Sequence, residues 1–163
     1  MAKVQGGYLV AKTLHELGVR EIFSLAGGHI NPIYNACLDV GIRLIDTHHE
    51  QGAAMAADAY GRVSKSPGVC LVTAGPGFTN ALTGVAGAHM SNAPFIIISG
   101  RSGVEENDKL SLQEIDQQAM ATPVTKWART VFDPLRIPEY VSNAYKRAIS
   151  DRPGPVYLGM SYE

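Results

Sequence analysis

Apolar residues change their spacing repeatedly along this chain, and each change predicts an element. From Tyr8 to Leu17, positions Leu9, Val10, Thr13, Leu14 and Leu17 fall on one helical stripe, and Gly18 supplies the stop. Glu21 to Ala26 is mostly apolar and predicts a strand ending at Gly27-Gly28. Pro32 then fits the first turn of a helix carrying Ile33, Tyr34, Ala36 and Cys37 to Gly41. Ile42 to Asp46 predicts the next strand, and the alanine-rich run Glu50 to Val63 the next helix. Gly68 to Ala74 is a near-continuous apolar run with β-branched members, the pattern of a strand buried on both faces, and Phe78 to Met90 is the helix behind it. Phe95 to Ser99 repeats the strand signal. Gly100 to Leu112 is polar, charged and long for a connection, which predicts a functional or mobile loop with no core to join. A short helix around Ile115 to Met120, Pro123, a strand near Thr125 to Thr130, an amphipathic helix over Ile137 to Ser150 and a strand over Val156 to Met160 complete the order.

Strand and helix alternate throughout, and parallel strands need crossovers of this length. The pattern therefore predicts an α/β fold: a doubly wound, mainly parallel sheet of about six strands with helices on both faces. With 163 residues, 45% hydrophobic and 18% charged, residues 1–163 are expected to form a single domain with its own core. A net charge of −1, from 14 basic and 15 acidic residues, lacks the footprint of a nucleic-acid or membrane-surface binder, so small molecules or protein surfaces are the expected partners. Cys37 and Cys70 lie in apolar surroundings without CxxC spacing and are expected to be plain buried thiols, with no metal site. Met1 to Gly7 carries no secretory pattern, and no apolar run approaches the ~20 residues of a spanning helix, so a cytoplasmic location is expected.

Glu50 is the sharpest candidate for chemistry. It follows a strand and opens a helix, at the sheet edge where ligands bind in open α/β folds. A glutamate there can simply complement the helix dipole. Alternatively, the small residues Ala53, Ala54, Ala56, Ala57 and Ala59 let the helix pack closely and leave the carboxylate in a partly dry crevice, where it can hand over a proton. Ala74-Gly75-Pro76-Gly77-Phe78-Thr79-Asn80 is a strand-to-helix turn whose glycines allow backbone to approach a ligand; an ordinary βα turn and a nucleotide-phosphate loop are the other readings. Gly27-Gly28 with Asp46 crudely suggests a dinucleotide site, but the GxGxxG spacing and the Walker lysine are both missing. His29 is placed at the same edge to donate or accept a proton, whereas His48 and His49 read as solvated loop residues.

With those residues in hand, His49 to Arg62 resembles the helix that carries the glutamate of thiamine-diphosphate-dependent enzymes. Thr73 to Asn80 resembles their GPGxxN turn, Leu112-Gln113-Glu114-Ile115-Asp116 the FQExD segment of acetolactate synthases, and Arg152-Pro153-Gly154-Pro155-Val156 the run closing their first domain. The resemblance spans Gly6 to Tyr162 and is greatest to acetolactate synthase large subunits and benzaldehyde lyase. Ala26-Gly27-Gly28-His29 departs from the Pro-Gly-Gly-Ala type turn of synthases, so a carboligase, C–C lyase or 2-hydroxyacyl lyase is implied equally.

The resemblance implies the pyrimidine-binding domain of an enzyme that makes or breaks C–C bonds in 2-keto or 2-hydroxy carbonyl substrates. Glu50 would hydrogen-bond N1′ of the cofactor's aminopyrimidine and favour the imino tautomer that takes the thiazolium C2 proton. Gly28, Thr73, Pro76, Gly77 and Asn80 would shape the pyrimidine pocket, and His29 and Gln113 would face the substrate. Thiamine diphosphate is the implied cofactor. Its Mg²⁺ and diphosphate would be held by a separate domain whose GDG…N motif does not occur here, on a partner chain of a homodimer. The central and diphosphate-binding domains are thus expected to be absent and the isolated chain inactive. A natural subunit of a two-subunit 2-oxo acid decarboxylase and a non-catalytic nucleotide-binding domain are the alternatives.

Overall fold

The computed structural model describes residues 4–161; Met1 to Lys3 and Tyr162, which the expectations above include, lie outside the described residues. Six strands form one wholly parallel sheet in the order β2-β1-β3-β4-β6-β5. They are β1 (Glu21–Ser24), β2 (Arg43–Asp46), β3 (Gly68–Val72), β4 (Phe95–Arg101), β5 (Trp127–Val131) and β6 (Pro155–Ser161). The helices are α1 (Gly6–Glu16), α2 (Asn31–Val40), α3 (Glu50–Ser64), α4 (Pro76–Ser91), α5 (Gln117–Ala121) and α6 (Ile137–Ile149). The doubly wound fold expected from the alternation is the one observed. No helix among the described residues is long and apolar enough to cross a membrane.

Side-chain alternation along the central strands explains the two helical layers. Val69, Leu71, Ile96, Ile98, Val156 and Leu158 point to the face covered by α1, α2 and α6. Cys70, Val72, Phe95 and Ile97 point to the face covered by α3 and α4, where Ala53, Ala54, Ala57, Phe78, Ala81 and Val85 meet them. Right-handed crossovers require this division. The connections β2→β3 and β3→β4 advance one way along the sheet and place α3 and α4 on one face, whereas β1→β2 and β5→β6 run back and place α2 and α6 on the other. Both cysteines are buried free thiols, as expected.

Several boundaries differ from the sequence reading. Strand β1 stops at Ser24, before a 3₁₀ turn at Gly28–Ile30 leads into α2. Strand β4 runs on to Arg101, and Ser102 and Gly103 are buried, so the segment expected to be a loop from Gly100 begins inside the core. The short helix begins at Gln117 instead of Ile115 because the Asp116 carboxylate caps it, accepting from the Ala119 N–H at 2.9 Å. The border strands β2 and β5 are short, and their exposed residues include Arg43, Asp46 and Arg129.

Helices α3 and α4 lie in close contact. A Cβ on Gly84 would stand 2.5 Å from the Ala54 Cβ and 2.9 Å from the Ala54 carbonyl carbon, so the seam admits no side chain there. Asp58, only 6% exposed, fastens the same seam: its carboxylate pairs with Arg62 one turn on and accepts from Ser91 Oγ of α4 at 3.3 Å. Gly84→Val is therefore expected to destabilise the fold by about 1–3 kcal/mol through overpacking. Urea unfolding would report a lower midpoint with unchanged slope.

Candidate functional site

The sheet order creates one crevice. At their carboxyl ends β1 and β3 are neighbours, yet the chain leaves β1 toward β2 and leaves β3 toward β4, so the two exits part and leave a gap between them. Such switch points are where open α/β sheets bind ligands. The 3₁₀ turn with His29 leaves one side of the gap, and the Thr73 to Gly77 turn the other. Their contact is direct: His29 Nδ1 shares a hydrogen bond with Thr73 Oγ1 at 3.3 Å, and a Cβ on Gly27 would lie 2.5 Å from the Thr73 Cβ.

Glu50 enters the same place from β2. It is the first residue of α3 and only 8% exposed. The helix starts here because His49, in an extended backbone conformation, caps it: His49 Nδ1 accepts the Gln51 N–H at 3.1 Å. Exposed His49 is thus a capping residue, a role the reading as a solvated histidine missed. Glu50 Oε2 accepts from Asn80 Nδ2 at 3.0 Å. Its other oxygen, Oε1, faces the bare backbone of Gly77, where an added Cβ would stand 3.5 Å from Oε1 and 2.7 Å from Thr73 Cγ2. The carboxylate therefore sits between the N-terminal turns of α3 and α4, at the positive ends of both helix dipoles.

The structure brings Glu50, Thr73, Gly77, Asn80 and His29 together at this crevice. Pro76 is exposed as the first residue of α4. Gly28 has nothing within 4 Å of an added Cβ and, with His29, Glu106 and Leu112, lines an adjoining cavity of about 290 Å³. Gln113 is held differently: half-buried, with a positive φ of 62°, it lies against the Gly75 backbone, its Cβ 2.8 Å from where a Cβ on Gly75 would be. Among the described residues, no group of three or more His, Cys, Asp or Glu side chains could hold a metal ion.

Sequence reasoning missed a buried polar cluster beneath the turn. Gln117, 4% exposed, accepts the Gly75 N–H at 2.6 Å and donates from Nε2 to Ser99 Oγ, Gly100 O and Tyr157 Oη at 2.8, 3.0 and 3.1 Å. Burial pushes the Tyr157 phenol above its usual range, partly offset by its hydrogen bonds to Ser99 and Gln117, so it stays a neutral hydroxyl. Asp116 followed by two glutamines was the available signal, and it marks a helix cap without indicating what the first glutamine reaches.

Known proteins were compared with this chain. A sequence model described as "Thiamine pyrophosphate enzyme, N-terminal TPP binding domain" matches residues 4–120. The chain is 42% identical over 153 residues to 2-hydroxyacyl-CoA lyase 2 of Danio rerio, covering 94% of this chain and 25% of that protein. It is 43% identical over 157 residues to 2-hydroxyacyl-CoA lyase 2 of Caenorhabditis elegans, covering 96% and 24%. With the acetolactate synthase large subunit of Lactococcus lactis the identity is 40% over 156 residues, covering 95% and 27%. The chain thus spans about a quarter of the length of the curated relatives it matches.

Both thiols are expected to be inert. Burial pushes Cys37 up to about 12, and burial, then the nearby Glu50 charge, pushes Cys70 up as well. A thiol reagent at pH 8 should label neither cysteine until denaturant is added. Because the raised value belongs to the folded state, stability should also fall as pH climbs from the ordinary 9.0 toward about 12, a trend thermal melts across that range would record.

Proposed function

The chain belongs to the thiamine pyrophosphate enzymes, as their N-terminal TPP binding domain, and from that membership we propose that its crevice is the aminopyrimidine half of a site for C–C bond formation or cleavage beside a carbonyl. The observation that carries this reading is the placement of Glu50: nearly buried, anchored through one oxygen by Asn80, and open through the other toward a glycine backbone. That arrangement fits the cofactor. A flat heterocycle needs a face without side chains, which Gly77 leaves beside Oε1, and a protonated or hydrogen-bonding ring nitrogen needs a nearly dry carboxylate.

In this reading Gly28, Thr73, Pro76, Gly77 and Asn80 would hold the aminopyrimidine, and Glu50 would hydrogen-bond its ring nitrogen. Asn80 donates to Oε2 and so fixes the carboxylate rotamer, leaving Oε1 to face the crevice. The small residues of the α3–α4 seam exclude water from behind the carboxylate, which keeps proton movement directed across the crevice. His29, steadied by Thr73, would serve proton transfers to and from the substrate carbonyl, which Gln113 would face as a neutral hydrogen-bonding amide. Bound thiamine diphosphate supplies the electron sink for a carbanion next to that carbonyl.

The substrates are 2-keto or 2-hydroxy carbonyl compounds. The names of the relatives, 2-hydroxyacyl-CoA lyase and acetolactate synthase, support both the cleaving and the joining direction. Mg²⁺ and the diphosphate are held by the diphosphate-binding domain of a partner chain in a homodimer. Exposed Met55, Val63 and Met90 on α3 and α4 support association through that helical layer.

In the complete enzyme, Glu50→Gln is expected to slow exchange of the cofactor's C2 proton by about 10²–10⁴-fold with the fold retained, read by NMR of quenched samples. Exchange at the unaltered rate would remove Glu50 from the mechanism. His29→Ala should lower kcat while cofactor affinity is largely kept; loss of cofactor instead would make His29 a pocket-shaping residue.

A further inference from the structure

The turn that faces Glu50 closes on itself through the Gly77 N–H, which donates to the Ala74 carbonyl at 3.2 Å, but its Gly75 N–H finds no local partner. Gly75 adopts φ 58° and ψ −114°, a region hostile to any side chain. Its buried N–H belongs to no strand ladder or helix, because Gly75 lies after β3 and caps α4 without a side-chain hydrogen bond. The group that takes this N–H is Gln117 Oε1, 42 residues away. Backbone chemistry fixes the glutamine's orientation. The Gly75 N–H can only donate and the Gly100 carbonyl can only accept, so oxygen must face the turn and nitrogen the end of β4. Gly100 in turn touches the other side of the crevice: a Cβ there would sit 2.4 Å from the His29 Cβ. One buried amide thus ties the turn opposite Glu50 to the strand end that backs His29.

We propose that Gln117 is a positioning residue for the proton-transfer site, holding Gly75 so that Gly77 and Asn80 keep their places beside the Glu50 carboxylate. This rests on the reading of Glu50 given above. Gln117 acts through backbone and through the first turn of α4, and makes no contact with Glu50 itself. The nearby Tyr157 and Ser99 hydroxyls complete the hydrogen bonding of its amide nitrogen, with Ser99 Oγ donating to Tyr157 Oη at 3.0 Å.

The test uses the complete enzyme carrying Gln117→Met, with Tyr157→Phe as a neighbour that leaves the Gly75 bond in place. Hydrogen exchange of the 73–77 peptide, measured without cofactor, is expected to quicken about tenfold in Gln117→Met, the size expected when a buried donor loses its partner, and to stay unchanged in Tyr157→Phe. At saturating thiamine diphosphate, C2-proton exchange should fall about tenfold in Gln117→Met alone. Unchanged peptide protection, or equal loosening in both variants, would overturn the proposal. Should Gln117→Met fail to fold, Gln117→Asn draws the amide back by one methylene and is judged by the same two results. Normal C2-proton exchange in Gln117→Met, with Glu50→Gln inactive, overturns the positioning role alone. Normal exchange in Glu50→Gln overturns the reading beneath it.

Discussion

Helices α3 and α4 approach each other across alanines and glycines, and their closeness sets the site above them. Each crossover begins by placing a helix N-terminus at the same sheet edge. Because Gly84 and Ala54 leave no bulk between the axes, those two N-termini arrive side by side. A carboxylate on the first turn of one then lies against the first turn of the other, where the positive ends of two helix dipoles offset the cost of its burial. Larger residues along the seam would spread the helices and part Glu50 from Gly77 and Asn80. The chemistry proposed for Glu50 is in this sense a product of packing several residues away.

Much of the fold was legible because parallel strands buried on both faces leave an unmistakable trace. Val69 to Val72 and Phe95 to Ile98 are apolar at successive positions, and the first run is followed by a helix start at Gly75. Boundaries were less legible where side-chain chemistry overrode the apolar pattern. Ile115 and Met120 invite a helix beginning at 115, whereas Asp116 sets the cap and so the start. Strand β4 extends past its apolar run because its ladder with β6 continues through Gly100 and Arg101, a pairing no local pattern encodes.

The candidate site divides along the same line. Glu50 could be found from its place at a strand end, and Asn80 and Gly77 from the turn that follows β3. Local sequence sufficed because each stands within a few residues of a secondary-structure junction. Gln117 could not be found that way. Its importance lies in four partners, in the turn after β3 and on β4 and β6, and long-range satisfaction of a single backbone N–H leaves no periodic mark. His49 shows the opposite case, a local cap hidden by a residue type that rarely plays that part.

Strands β2 and β5 close the sheet at its two borders with short runs bearing Arg43, Asp46 and Arg129. Charge and brevity at an unpaired border discourage a foreign strand from docking there. The fold is accordingly guarded against growth into fibrils, even though its inner strands β3, β4 and β6 are largely apolar.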